Sequence, residues 1–173
     1  MRRAAGRTFG WSICLVLAGC GTSEPPPPCP LVLLVQGAEQ VASYRRAALP
    51  ASADLRYLAL LADLSSSCRY EDGGVELDLT FNLIAERGPA LADGPIRLAY
   101  FLAAVAPDGQ VVDKQRFTAE LAFPAGRERT GLTQELVVRY PSIDPATGQD
   151  YRFYLGFQLD PAESRERSRP LGP

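Results

Sequence analysis

Apolar and polar residues alternate along most of the chain, and the alternation is clearest at residues 75–83. The odd positions there are apolar: Val75, Leu77, Leu79, Phe81 and Leu83. The even positions carry Glu, Asp, Thr and Asn. Because successive side chains of a strand point to opposite faces, this pattern predicts a strand with one buried and one solvated face. Such strands are typical of antiparallel sheets.

Four further segments carry strand patterns: residues 96–105, 111–123, 132–140 and 151–159. The first of them is apolar on both faces apart from Arg97, which predicts a central strand. Turn-forming residues at 107–110 follow it, so the first two segments are expected to form a hairpin. A loop rich in turn formers, residues 141–149, separates the last two.

Two segments nearer the N-terminus complete the predicted sheets. Residues 31–35 are a short apolar run directly after Cys29 and Pro30, which predicts a first strand. Residues 55–64 are rich in Ala and Leu, with Ser52 and Asp54 as helix caps, so propensity favours a helix. We interpret this segment as a strand, because strong strand patterns flank it and tertiary context often overrides propensity.

The strand patterns together predict an all-β fold. About seven strands within roughly 130 residues are typical of a single antiparallel β-sandwich of the immunoglobulin-like kind. A small barrel is the alternative.

The N-terminal residues have the pattern of a secretion signal. Three arginines give a basic start, and an apolar stretch follows at residues 9–18. At about ten residues this stretch is too short to span the roughly 30 Å hydrocarbon core of a bilayer. It closes with Leu-Ala-Gly-Cys at residues 17–20, which resembles the lipobox of bacterial lipoproteins. We therefore predict a lipoprotein signal peptide at residues 1–19 and lipidation of Cys20.

The predicted anchor leads into a tether and a domain. Residues 20–28 end in four prolines, which favour an extended polyproline II spacer. Gly21 stands where inner-membrane lipoproteins commonly carry aspartate, so the likeness to lipoproteins implies attachment at the periplasmic face of the outer membrane. The predicted domain covers residues 29–160. The charged, apolar-poor residues 161–173 are expected to be disordered.

The cysteines predict one disulfide. Cys14 leaves with the predicted signal and Cys20 takes the lipid, so Cys29 and Cys68 remain. In an oxidising envelope compartment these two are expected to pair. A redox-active pair usually has the CxxC spacing, which these cysteines lack.

Composition argues against several kinds of chemistry. The chain has 18 basic and 20 acidic residues, and loss of the three signal arginines gives a net charge of about −5, which disfavours a nucleic-acid partner. The sequence contains no histidine, so it offers neither a Ser-His-Asp nor a Cys-His site and lacks the commonest metal ligand. Glycine-rich phosphate loops are also missing. We expect no enzymatic activity, no cofactor and no metal site.

Two weak candidates for chemistry remain. Glu76 and Asp78 lie two apart on one strand face, which separates their carboxylates by roughly 7 Å. A solvated sheet face is the preferred interpretation of this pair. Residues 144–150 vaguely resemble a calcium loop but lack its regular oxygen-ligand spacing and closing glutamate, which favours a turn.

Several short motifs resemble a group of small proteobacterial lipoproteins of unknown function. The motifs are Cys29-Pro30, Cys68-Arg69-Tyr70, Arg87-Gly88-Pro89-Ala90, Tyr100-Phe101, Lys114 with Phe117, and Gly156-Phe157-Gln158-Leu159. They cover most of the predicted mature chain. The resemblance implies no activity and no catalytic or binding residue.

Two functions fit these observations. The preferred one is a non-enzymatic interaction or structural module, which the anchor holds at the membrane and the tether presents to another envelope protein. Its contacts would be made by the polar face of a sheet or by the loops at 87–94 and 141–149. The alternative is a binding or carrier protein for a small or lipidic ligand. Its apolar cleft between the sheets would be lined by aromatic side chains such as Phe101, Phe117, Phe153 and Phe157.

Overall fold

The computed structural model describes residues 25–45 and 52–159, which form an all-β sandwich of two four-stranded sheets. The sandwich predicted from the alternation is therefore confirmed. The small barrel is not formed, since no strand pairing joins the two sheets within these ranges. The predicted signal peptide, Cys20 and the C-terminal segment 161–173 lie outside the described residues.

Eight strands make up the two sheets. They are β1 (Leu31–Leu34), β2 (Gln40–Tyr44), β3 (Leu55–Glu71), β4 (Gly74–Arg87), β5 (Ile96–Val105), β6 (Val111–Leu121), β7 (Arg129–Tyr140) and β8 (Arg152–Phe157). Short 3-10 turns at Ser52–Asp54 and Gly148–Asp150 precede β3 and β8. The predicted bounds of β5 are confirmed at both ends, and the other predicted strands are confirmed with shifted ends. Only β2 was not predicted, because it is a five-residue edge strand with little alternation.

The strands divide between the sheets by a Greek-key path. Sheet A has the order β1-β8-β5-β6, and sheet B has the order β2-β3-β4-β7. The chain passes from sheet B to sheet A after β4, returns to sheet B after β6, and passes to sheet A again after β7. As a result, β4 pairs with β7 and β5 pairs with β8. Immunoglobulin-like sandwiches have the same arrangement, in which strand B pairs with strand E and strand C pairs with strand F. The edge strand β1 departs from the antiparallel scheme, because it runs parallel to β8.

The core lies between the sheets and is centred on β4. Its predicted inward residues are each at most 1% exposed: Val75, Leu77, Leu79, Phe81 and Leu83. They meet buried residues of sheet A, among them Tyr100, whose ring lies edge-on to Phe81 at a centroid distance of 5.5 Å. Full burial of a side chain of this size contributes about 1.5–3 kcal/mol. Hydrophobic burial therefore fixes which face of each sheet points inward.

A β-bulge explains why the sequence of β3 was ambiguous. Ala62 pairs with Asn82 and Ser65 pairs with Thr80, so β3 carries one more residue here than β4. Asp63 adopts a positive φ of 53° within the bulge. The extra residue reverses the parity of the strand, which interrupts the sequence alternation. The choice of a strand over a helix for this segment is confirmed.

The turn between β3 and β4 carries a signal that our sequence interpretation missed. Asp72 and Gly73 have φ values of 48° and 75°. Two consecutive positive φ angles are the requirement of a type I′ hairpin turn, for which Asp-Gly is a preferred dipeptide. The Asp-Gly pair was therefore sufficient to predict this hairpin.

The predicted disulfide is confirmed and joins the two sheets. Cys29 precedes β1 of sheet A, and Cys68 lies in β3 of sheet B, with their Cα atoms 5.7 Å apart. The parity change at the bulge turns Cys68 inward, opposite the buried Leu77. Nearby, the Tyr70 hydroxyl donates a hydrogen bond of 2.9 Å to the carbonyl oxygen of Pro28. These two links fix the point at which the proline-rich residues 25–28 enter the domain.

The environment of Tyr70 keeps its hydroxyl protonated. Burial raises the pKa of Tyr70, and the carboxylate of Asp144 raises it further. A protonated phenol is the form that can donate to Pro28. The hydrogen bond that holds Pro28 is therefore present at neutral pH.

Gly148 is required by the close approach of Tyr70, and we expect Gly148→Ala to destabilise the domain by about 1–3 kcal/mol. A Cβ atom at this position would overlap the Tyr70 hydroxyl. Urea unfolding curves would measure the loss. Gly131→Ala is the matched control, because its Cβ would come no closer than 3.4 Å to another atom. An equal loss in both variants would contradict this role of Tyr70.

Candidate functional site

The predicted carboxylate pair lies on the outer face of sheet B, where an arginine occupies it. Glu76 and Asp78 follow each other on that face of β4, and Arg69 projects from the neighbouring β3. One Nη of Arg69 donates to Asp78 Oδ2 at 2.9 Å, and the other bonds Glu76 Oε1. Glu71 also approaches the guanidinium, with an Nε–Oε1 distance of 3.6 Å. The two carboxylates therefore belong to a solvent-facing ion-pair network, as the preferred interpretation required.

The rest of this outer face is also internally paired. Arg139 bonds the Asp72 carboxylate at 3.1 Å, and Arg129 lies 3.8 Å from Glu86. Asn82 connects to Asp63 through a hydrogen bond of 2.8 Å. Exposed pairs of this kind contribute little stability but neutralise one another. Arg69, Arg129 and Arg139 of this face thus already have carboxylate partners, whereas Arg56 of β3 takes part in none of the ion pairs within the described residues.

The segment 144–150 forms a turn. Asp144 Oδ1 accepts hydrogen bonds from the backbone N–H groups of Ala146 and Thr147, at 2.9 and 3.0 Å. The Thr147 hydroxyl donates to the same oxygen at 3.2 Å. The carboxylate therefore caps its own loop. Within residues 25–45 and 52–159, no three acidic or cysteine side chains come together as metal ligands.

The four aromatic residues named for a carrier cleft do not line a common space. Phe153 and Phe157 are fully buried in the core. Phe117 stacks on Tyr100 at the β6 edge, with ring centroids 5.4 Å apart. Phe101 points to the opposite side of sheet A, where Lys114 Nζ lies 3.9 Å from its ring centroid. The four residues therefore do not form the cleft that the carrier alternative describes, and sequence alone could not place Phe101 because β5 is apolar on both faces.

A small opening lies between the sheets at the end away from Pro28 and Cys29. Its volume is about 190 Å³, and it is lined by residues that include Val41, Ser43, Tyr57, Leu98, Phe157 and Gln158. Gln158 Oε1 is buried there with no hydrogen-bond partner among the described residues. Pockets for drug-sized ligands usually measure about 300–1,000 Å³ and are mostly apolar. This opening is better suited to a few water molecules than to a lipidic ligand.

The outer face of sheet A combines aliphatic and cationic side chains. Strand register places Leu31 of β1 beside Arg152 of β8, and Arg152 beside Val105 of β5. The same row continues to Val111 of β6. Neighbouring strands are about 4.8 Å apart, so these four residues span about 14 Å. They lie at the end of the sheet where β1 begins.

The next row of this face continues the pattern. Leu33 lies beside Tyr154, and Ala103 lies between Tyr154 and Lys114. Lys114 in turn covers the ring of Phe101. An ammonium group over an aromatic face keeps its charge accessible to solvent while its stem covers apolar surface. The two rows form a continuous surface of aliphatic, aromatic and cationic groups.

Three cations of this face lack the carboxylate partners that Arg69, Arg129 and Arg139 have on sheet B. Arg97 bonds Glu120 across the strands at 2.6 Å. Lys114, Arg116 and Arg152 take part in none of the ion pairs formed within the described residues. A surface with unpaired cations therefore exists on a chain whose net charge is −2.

Sequence inspection did not identify this surface, because its residues come from β1, β6 and β8. Two local signals were present. Lys114 and Arg116 occupy even positions of β6, whereas its inward residues occupy odd positions. Val111 and Val112 are consecutive exposed aliphatic residues, which interrupt the alternation. Only the register of the sheet joins these signals to Leu31 and its neighbours.

Comparison with known proteins gives no relative for this chain. No protein-family model matches it, and neither does any curated protein or solved structure. The resemblance to small proteobacterial lipoproteins therefore stays a prediction. In the part of the chain that the structure describes, no helix is long and apolar enough to cross a membrane.

Proposed function

We propose that this protein is a lipid-anchored, non-enzymatic interaction module of the bacterial cell envelope, which makes its contacts with the outside of the β-sandwich. The observation that carries the proposal is the outer face of sheet A. It exposes aliphatic side chains together with cations that have no carboxylate partner among the described residues. Exposed apolar surface of this kind marks a site of interaction with another molecule.

The interior of the sandwich favours a surface role. Apart from the small opening beside Gln158, the space between the sheets holds large side chains that are less than 2% exposed, including Phe81, Phe153 and Phe157. Interiors of this kind are packed as densely as organic crystals, so they hold side chains and no ligand. This packing supports recognition by the exterior of the domain.

The envelope location rests on the N-terminal sequence. The basic start, the short apolar stretch and the Leu-Ala-Gly-Cys motif support processing before Cys20 and attachment of lipid to it. The disulfide agrees with an oxidising compartment, where such bonds persist. The proline-rich residues 25–28 are exposed, as a spacer between anchor and domain requires.

The anchor is tested by its modification. We expect the mature protein to begin at Cys20, to carry acyl chains detectable by mass spectrometry, and to fractionate with membranes. Cys20→Ala should abolish the processing and the acylation and leave the unprocessed precursor. A Cys14→Ala variant is the control, because that cysteine lies within the predicted signal. Normal processing and acylation of the Cys20→Ala variant would refute the anchor.

The interaction role is tested by site-specific photo-cross-linking in cells. A photoreactive residue would replace Val112 on β6 of sheet A or Val137 on the outer face of sheet B; both are more than half exposed. We expect a reproducible adduct from at least one face, which disappears when Cys20 is replaced. Absence of adducts from both faces, together with a stoichiometric small molecule in the purified protein, would overturn the proposal in favour of a carrier.

A further inference from the structure

One end of the outer face of sheet A, which we name the tether-end patch, has the composition of a membrane-contacting surface. The patch consists of Leu31, Leu33, Val111, Lys114, Arg116 and Arg152. We propose that it docks the domain onto the anionic lipid headgroups of the membrane that holds the anchor. The domain would then lie on sheet A, with sheet B facing away. This inference rests on the lipid anchor of the proposed function.

The aliphatic part of the patch is strongly exposed for its size. Leu31 is 49% exposed, Leu33 is 38% exposed and Val111 is 62% exposed. Single exposed aliphatics are common on protein surfaces and need no partner, but these three share one end of one sheet face. Shallow insertion between headgroups would remove their surface from water.

The charges of the patch match an anionic surface. Lys114, Arg116 and Arg152 have no carboxylate partner among the described residues, whereas Arg69 and Arg139 on sheet B are paired. These three cations therefore lie together on the outer face of sheet A, in a chain that is acidic overall. Basic groups beside apolar ones are the combination that binds anionic bilayer interfaces.

Two acidic residues at the tether end of the sandwich favour one orientation of the domain relative to the membrane. Asp108 and Asp144 belong to the loops that follow β5 and β7. Each accepts hydrogen bonds from the backbone of its own loop. They stand at the rim of the sandwich, so contact through its tip would bring carboxylates against anionic headgroups. Contact through the flat face of sheet A avoids this repulsion.

The tether enters the domain at the same end. Leu31 lies two residues after Cys29, whose position is fixed by the disulfide to Cys68 and by the bond from Tyr70 to Pro28. Cys29 follows Cys20 by nine positions, which correspond to about 28 Å in an extended polyproline-like form. A short tether holds the patch near the bilayer at high effective concentration, so that weak contacts suffice for docking. This geometry identifies the anchoring membrane as the occupant.

The composition of the chain provides a sensitive probe. Its one tryptophan is Trp11, which lies in the predicted signal, so the mature protein has no tryptophan background. The lipidated mature protein with Leu33→Trp would be reconstituted into vesicles of phosphatidylcholine, with or without phosphatidylglycerol. The matched control is Val137→Trp, which places the same probe on an exposed strand position of sheet B.

We expect the emission of Leu33→Trp to shift to shorter wavelength and to be quenched by brominated lipids, but only on vesicles that contain phosphatidylglycerol. Emission from Val137→Trp should not change. Each basic residue near an anionic surface alters binding about fivefold, so Lys114→Glu combined with Arg116→Glu should lower the ratio of docked to undocked domain by at least about 25-fold.

The outcomes separate the docking from the anchor. Vesicle flotation of the protein without a shift in Leu33→Trp would overturn the docking and leave the anchor intact. Failure to float would overturn both. A photo-adduct between Val112 and an envelope protein, in place of lipid, would overturn the docking while supporting the interaction module.

Discussion

Replacing Phe81 by alanine will lower the free energy of unfolding by about 3–5 kcal/mol. Phe81 is 0% exposed and lies edge-on to Tyr100, which in turn stacks on Phe117. The substitution removes an aromatic ring from the centre of the core, and its neighbours can fill the cavity only in part. Chemical denaturation monitored by circular dichroism would measure the loss.

The control for this prediction is Phe101→Ala. Phe101 belongs to the outer face of sheet A, where Lys114 covers one side of its ring. We expect a loss of about 1 kcal/mol or less, because this ring contributes a partly exposed cation–π contact and no core packing. Similar losses in the two variants would contradict the assignment of Phe81 to the centre of the core and of Phe101 to the surface.

Removal of the disulfide will have the second large effect. Replacing both Cys29 and Cys68 by alanine is expected to lower the free energy of unfolding by about 2–4 kcal/mol. The bond closes a segment with a sequence separation of 39, which limits the conformations of the unfolded chain. It also ties the chain beside the short edge strand β1 to β3.

The location of the bond gives this second prediction a further signature. β1 has four residues and hydrogen-bonds only to β8 in its sheet. Its amides should lose hydrogen-exchange protection first in the double variant, while amides of β4 and β5 remain protected. Wild-type protein in reductant is the control and should match the double variant. Equal and simultaneous loss of protection in β4 would show that the bond stabilises the whole sandwich and not this edge.

The strand predictions succeeded where one face of a sheet meets the core. β4 alternates without interruption because each odd residue from Val75 to Leu83 is buried. Both ends of β5 were predicted correctly, because a continuous apolar run is followed by turn-forming residues. In both strands the local sequence was sufficient for the prediction, because side chains of a strand alternate between its two faces with a period of two residues.

The same local logic could not find the candidate surface. Sequence places Phe101 in a strand that is apolar on both faces, and only pairing with β6 and β8 decides which face is inside. Likewise, the parity of Cys68 depends on the bulge at Asp63, which forms because β3 has one residue more than its partner. Neither the inward face of β5 nor the orientation of Cys68 is determined by the residues of one strand alone.

The sequence alone therefore determined the all-β class, the positions of the seven strands β1 and β3 to β8, the pairing of Cys29 with Cys68, and the absence of histidine. The fold class and the strands follow from the burial of every second residue, and the other two results follow from the residue types present. Tertiary structure decided the order of the strands, the parallel pairing of β1 with β8, and the gathering of aliphatic and cationic residues at one end of sheet A. The physical reason is that register brings together residues that are far apart in the chain, and register is set by packing between strands.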